Sequence, residues 1–408
     1  MPRKQLVPPC AVWLLVVLVL SSSAPVPASS SSSTTTFRVR RRYDSIFSLG
    51  DSYADTGNGP VVFGWHAITS PVMRPPYGST FFGRPTGRNC DGRLVIDFLG
   101  ACPPRPRSRS CRPSTQMYIA DRSLAALAPS DVAAESLGLP LVPPFLQARQ
   151  GARSFGRGAN FAVGGATALD ASFFHRWDPP GGNCNKLFGA NDYLLAMAAM
   201  SLEQVRSLVP GVVGTISMAV ERLIVEHGAT TVVVPGVIPV GCTPPVLTTF
   251  ADPDPAGYDP RTGCLKAINE VVAHHNALLQ DALRELWARH RHRVSAVVYG
   301  DFFGPVMDMV TSPAKFGFDE GLTLCCGGPG RFNYNRHVFC GDPGANECKD
   351  PSARLFWDGV HLTEAAYRYI AAGWLSAITS PPGRKGGGAA ANRNRTAAAT
   401  VPKESPCY

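Results

Sequence analysis

The stretch from Thr230 to Tyr299 limits the architecture of this chain more than any other. Thr230 to Pro235, β-branched as far as Val234, has the pattern of a strand buried on both faces. Gly263 to Arg293 then repeats apolar residues at helical spacing (Ile268, Val271, Val272, Leu278, Leu279, Ala282, Leu286), and Val294 to Tyr299 is a second strand. Strands alternating with helices define an α/β domain with a mainly parallel sheet. The chain has 408 residues, 45% hydrophobic and 17% charged, enough for one large core without disulfide support.

Upstream, the short apolar run Ile46 to Leu49 breaks at Gly50-Asp51 and presents Ser52, as a parallel strand presents a nucleophile at its carboxyl end. Taken alone, Gly-Asp-Ser is equally a strand-ending turn. Gly158 to Leu169 is a second strand-to-glycine transition, where Gly164-Gly165 allows close backbone approach, and Leu187 to Tyr193 is a third. Helical patterns follow from Leu194 to His227, broken at Pro210-Gly211. Near the end, Thr363 is placed to cap a helix from Glu364 to Ile378.

Residues 1–28 have the layout of a secretory signal: Arg3 and Lys4, the apolar run Ala11 to Leu20, then small residues and prolines to Ala28. No other stretch reads as a membrane span, and stable membrane insertion is not expected. Residues 29–42 form a low-complexity and basic linker, and 379–408 a disordered basic tail holding the sequon Asn394-Arg395-Thr396, a glycosylation acceptor. The net charge of +9 is concentrated in 1–42, 101–122 and 381–408, so the remaining body is mildly acidic and no nucleic-acid groove is implied. Twelve cysteines suit an oxidising compartment. None has the doubled Cys-x-x-Cys spacing of a zinc site, so bridges are expected within the Cys242 to Cys264 loop and within the loop holding Cys325, Cys326, Cys340 and Cys348.

Two local features need separate treatment. Gly57 to Asn89, rich in Gly, Pro and aromatics such as Trp65, Tyr77, Phe81 and Phe82, suits a long loop flanking a site, its aromatics serving packing more than contact with a substrate. Residues 101–131 are a Pro, Arg and Ser-rich piece without period, interrupting an amphipathic helix that would join Arg93–Leu99 to Ala134–Leu139. It is either a disordered insertion or a translated intron, and the clean join of its flanks favours the intron.

A serine nucleophile needs a base, the base an orienting acid, and the developing oxyanion its donors. His361 and Asp358, three residues apart, fit the first two roles: the imidazole takes the hydroxyl proton, and the carboxylate fixes the tautomer. The backbone N–H groups of Ser52 and Gly165 and the side-chain amide of Asn191 can donate to an oxyanion without being protonated. Each of these residues has a bland reading as turn or packing residue. Together, in order, they point to one site.

Gly50-Asp51-Ser52, Asn160-Phe161-Ala162 with Gly165-Ala166, Gly189-x-Asn191-Asp192 and Asp358-x-x-His361 fall in the order of the blocks of the GDSL or SGNH hydrolases. The chain resembles their plant secreted branch, the GDSL esterase/lipases, from about Tyr43 to Ile378. That resemblance implies a flavodoxin-like three-layer α/β/α sandwich over residues 43–378 and hydrolysis of carboxylic esters through an acyl-serine, with no cofactor or metal. By residue it implies Ser52 as nucleophile, His361 as base, Asp358 as its partner, and Ser52, Gly165 and Asn191 as oxyanion donors. The partner is a small-molecule or lipid ester, the protein a monomer, and the location extracellular, in apoplast or cell wall. Gly50 to Ala54 fails the last position of Gly-x-Ser-x-Gly, which disfavours an ordinary α/β-hydrolase. The chain departs from the pattern in the insertion and in a shortened segment before Gly189, where the strand leading to Asn191 is truncated. Two alternatives follow: a catalytically impaired binding protein on the same fold, or an acyltransferase or carbohydrate-processing enzyme of the same branch.

Overall fold

The computed structural model describes residues 17–21, 43–65, 70–100, 137, 139–147, 155–170, 173 and 191–379. The insertion at 101–131, Gly189, Asn394 and all of the tail except Thr379 lie outside them.

The central sheet comprises Val17–Ser21 (β1), Ser45–Leu49 (β2), Thr231–Pro235 (β3) and Ala296–Gly300 (β4), in the order β2-β1-β3-β4. β3 and β4 pair in parallel, Thr231 opposite Ala296. They are joined through Lys266–His290, the long helix read from the sequence, which buries Ile268, Val271, Val272, Leu279, Leu283 and Leu286 along one side. Each such side chain contributes about 1.5–3 kcal/mol by leaving water.

β1 is the departure. It consists of residues read as part of a leader, and it runs antiparallel to both neighbours: Val17 faces Leu49 and Ser21 faces Ser45 on one side, while Leu18 faces Val233 on the other. β2, β3 and β4 therefore share one direction, and β1 alone opposes it. Hydropathy does not separate these uses, because an alternating Val and Leu run suits a sheet interior as well as an export signal.

The other helices that matter to the site are Gly59–Trp65 (α1), Val95–Gly100 (α2), Asn191–Met197 (α3), Leu202–Ser207 (α4), Val209–Val225 (α5), the crossover helix Lys266–His290 (α6) and Glu364–Thr379 (α7). α5 packs on α6 and α2 on α7, and both α6 and α7 touch β4. A Cβ on Gly300 would collide with Trp374 of α7, whereas the adjacent Tyr299 lies with Asn276 of α6 beside Gly236. Successive strand residues face opposite sides, so the sheet is covered on both faces. α7 starts where expected, with Thr363 Oγ1 accepting from the Ala366 N–H at 3.3 Å. Two ion pairs fix the α2 side: buried Arg88 on Asp97, and Arg93 on Glu364.

Two sequence expectations need correction. Residues 202–225 are long and apolar enough to cross a membrane by length and composition, yet the stretch is two helices meeting at Leu208, with Val205, Val209, Val212, Val213, Val220 and Ile224 buried in the core. The interrupted helix ends at Gly100 on its first flank; of the second flank only Leu137 and Leu139 are described, and neither is helical. Pro140 cannot continue a helix there, although the Leu137 N–H reaches the Leu99 carbonyl at 3.2 Å and so brings the flanks together. Finally, Gly158 to Leu169 forms only a bridge at Asn160, to Ser48 and Pro144, instead of a strand. Bridges form within both expected loops, as Cys242–Cys264, Cys325–Cys348 and Cys326–Cys340.

Candidate active site

β2 ends at Gly50, whose φ of +152° favours glycine, and the chain turns at once. The Asp51 carbonyl accepts from Ala54 and Asp55, and the Asp51 carboxylate from the Tyr53 N–H at 3.0 Å. This turn holds Ser52 at the carboxyl end of the strand. The second block runs beside β2, with the Phe161 N–H on the Ser48 carbonyl and the Val163 N–H on that of Gly50, so Gly164-Gly165 arrives at Ser52. A Cβ on Gly164 would stand 3.7 Å from the Ser52 Cβ, and Gly165 holds a left-handed φ of +86°.

Asp358 and His361 lie in the short loop between Arg354–Phe356 (β5) and α7, closed by the Trp357 N–H donating to the His361 carbonyl at 2.8 Å. The spacing of three turns both side chains the same way. His361 Nδ1 lies 2.7 Å from Asp358 Oδ1, and His361 Nε2 lies 2.8 Å from Ser52 Oγ. A carboxylate only accepts, so Nδ1–H donates to Asp358 and Nε2 is left as acceptor for the Ser52 hydroxyl. Ser52 is 0% and His361 3% exposed, so this chain of bonds is shielded from water.

Neither the Ser52 nor the Gly165 N–H donates to an acceptor among the described residues. Asn191 differs. Its Nδ2 donates to the Ala166 carbonyl at 2.6 Å, and its Oδ1 is buried without a partner among the described residues. Asp192, next to it, accepts from the Ala168 and Leu169 N–H groups, both at 2.9 Å, tying α3 to the glycine loop.

Residues 46–374 match the family described as GDSL-like Lipase/Acylhydrolase. The chain belongs to that family. A GDSL esterase/lipase of Arabidopsis thaliana is 35% identical over 388 residues, covering 85% of this chain and 93% of its own length. A second one from that plant is 34% identical over 377 residues, covering 82% and 85%. A sinapine esterase of Brassica napus is 33% identical over 386 residues, covering 84% and 87%. The protein is thus a carboxylic ester hydrolase of the α/β class.

In this GDSL hydrolase, acidic residues that the sequence reading passed over organise the site. Asp55 accepts from the N–H groups of Gly57, Asn58, Gly59 and Gly164, binding the start of α1 to the glycine loop. Burial pushes its carboxyl up, against those four bonds. Burial also raises Asp51 to about 6, partly offset by the Tyr53 N–H and by His361. Tyr77, read as packing, donates its hydroxyl to Asp358 Oδ2 at 2.6 Å. Only a Gly-Asp-Ser-x-x-Asp pattern marks Asp55 in the sequence, and nothing local marks Tyr77.

Beside Asp51 and Asn191 lies a cavity of about 110 Å³, walled by Val212, Ile216, Val234 and Phe302. The Tyr193 hydroxyl and His275 Nδ1, 2.6 Å apart, close one side. Burial pushes His275 down to about 4, so the imidazole there is neutral.

Proposed function

We propose that the chain is a secreted serine hydrolase that cleaves carboxylic esters through an acyl-serine. Ser52 Oγ attacks the ester carbonyl while His361 Nε2 takes the hydroxyl proton, and Asp358 stabilises the imidazolium. The oxyanion is met by the N–H groups of Ser52 and Gly165, with Asn191 as third donor. As the tetrahedral adduct collapses, the alcohol leaves with the proton from His361. Water, deprotonated by His361, then attacks the acyl-serine and releases the acid. The observation that carries this reading is the unbroken chain of hydrogen bonds Ser52–His361–Asp358, at 2.8 and 2.7 Å.

The substrate is a small-molecule or lipid ester taken up by a monomer. The cavity of about 110 Å³ beside Asp51 and Asn191 adjoins the serine turn and offers an apolar wall to the substrate. A leader in residues 1–28 directs the chain to the apoplast or cell wall, a compartment suited to its three described disulfides.

One observation favours the impaired alternative: an Asn191 amide already engaged with Ala166 has less to give an oxyanion. Hydrolysis of p-nitrophenyl butyrate by wild type and by Ser52→Ala separates the readings. Release that disappears in Ser52→Ala supports the hydrolase, and equal rates refute serine catalysis.

A further inference from the structure

We infer that Tyr77 is a positioning residue of the catalytic acid, acting on His361 through Asp358; this rests on the serine-hydrolase reading above. The two oxygens of Asp358 have separate partners: Oδ1 takes the His361 Nδ1–H at 2.7 Å, and Oδ2 takes the Tyr77 hydroxyl at 2.6 Å. A carboxylate held at both oxygens cannot rotate about its last bond, so the plane that faces His361 is fixed. With the Asp358 side chain only 8% exposed, little water is at hand to replace the phenol.

The phenol itself is immobilised. Its ring is buried in a cluster with Val72, Cys325, Cys326, Cys340 and Trp357, and meets Trp357 edge-on at 5.9 Å. Its N–H is held by the Arg74 carbonyl, and the following Gly78 N–H by that of Cys90. The same cluster reaches the acid from the other side, because the Cys326 N–H donates to the Trp357 carbonyl, one residue before Asp358. Burial and the neighbouring Asp358 charge keep the phenol protonated, so it serves as a donor throughout the working range.

Removing that donor has a directional consequence. An Asp358 carboxylate that has lost one hydrogen bond concentrates its charge on His361 and favours the imidazolium. A larger fraction of the base is then protonated at a given pH, and the acid limb of kcat/KM moves to higher pH. The other groups that bear on this pair are Asp51 and Tyr53 from the serine turn and Tyr367 from α7, with Arg74 and Asp342 near Tyr77. All remain in the variant.

The test is the pH profile of p-nitrophenyl butyrate hydrolysis by wild type, Tyr77→Phe, Asp358→Asn, the double variant and Ser52→Ala. Tyr77→Phe keeps the packed ring and loses only the hydroxyl. A charge-assisted bond of this kind predicts a loss of about tenfold in kcat and an acid limb raised by about half a pH unit or more. In the Asp358→Asn background the same change should add less than about twofold, since the two residues act as one unit. Thermal melting of each variant separates lost fold from lost chemistry. An unmoved limb, or full additivity with Asp358→Asn, overturns the role of Tyr77 even when Ser52→Ala is inactive. Activity retained in Ser52→Ala overturns the underlying serine-hydrolase reading instead.

Discussion

The side-chain amide of Asn191 donates to the Ala166 carbonyl at 2.6 Å, so the first residue of α3 is bound to the same loop that presents Gly165. One amide hydrogen is spent on that link and the other is left to meet an oxyanion. Asn191→Ala should therefore lower kcat by on the order of 10²–10³, the usual cost of losing one such donor. Steady-state hydrolysis of a p-nitrophenyl ester reads this out. A rate within twofold of wild type would mean that Asn191 serves the loop alone.

The burial that raises Asp51 to about 6 links stability to pH. Its ordinary value in an unfolded chain is near 3.9, so the native state binds the proton more tightly. The resulting stabilisation is complete below about pH 4 and is lost as pH rises through about 6. Asp51→Asn keeps an acceptor for the Tyr53 N–H and never ionises. Its melting temperature should exceed that of wild type at pH 8, by an amount equivalent to about 1–3 kcal/mol, with the gap closing towards pH 4. Equal melting temperatures at both pH values would remove Asp51 as the source.

What the sequence disclosed, and what it withheld, follows from the range of the interactions. β3, α6 and β4 were legible because periodicity is local, and the order of Ser52, Gly165, Asn191, Asp358 and His361 was legible because each sits in a short motif. Tyr77 was not, since its partner Asp358 is 281 positions away and a Pro-Tyr-Gly loop has many uses. The four N–H bonds to Asp55 depend on backbone direction, which composition does not carry. The glycines of the second block read as a strand end, but a run that includes φ of +117° at Gly158 cannot lie flat in a sheet. β1 was hidden for a different reason: the same residues satisfy the rules of a leader.

That double use of Val17–Ser21 has a measurable consequence. Among the described residues β1 is the link between β2 and β3 in the sheet, pairing Val19 with Phe47 on one side and Val232 on the other. Proline at position 19 removes an N–H from the middle of a strand with partners on both edges, a place where sheets do not tolerate it. In the full chain, Val19→Pro should melt well below wild type and Val19→Thr close to it. Equal melting temperatures for Val19→Pro and wild type would contradict the placement of β1.

The central claim is that Ser52 carries the acyl group, and covalent trapping tests it most directly. A fluorophosphonate probe incubated with the full chain, followed by peptide mapping, should give one adduct per molecule, on Ser52. The adduct should be absent in Ser52→Ala and form much more slowly in His361→Ala. An adduct at another residue, or none in a folded chain that still hydrolyses the ester, would contradict it.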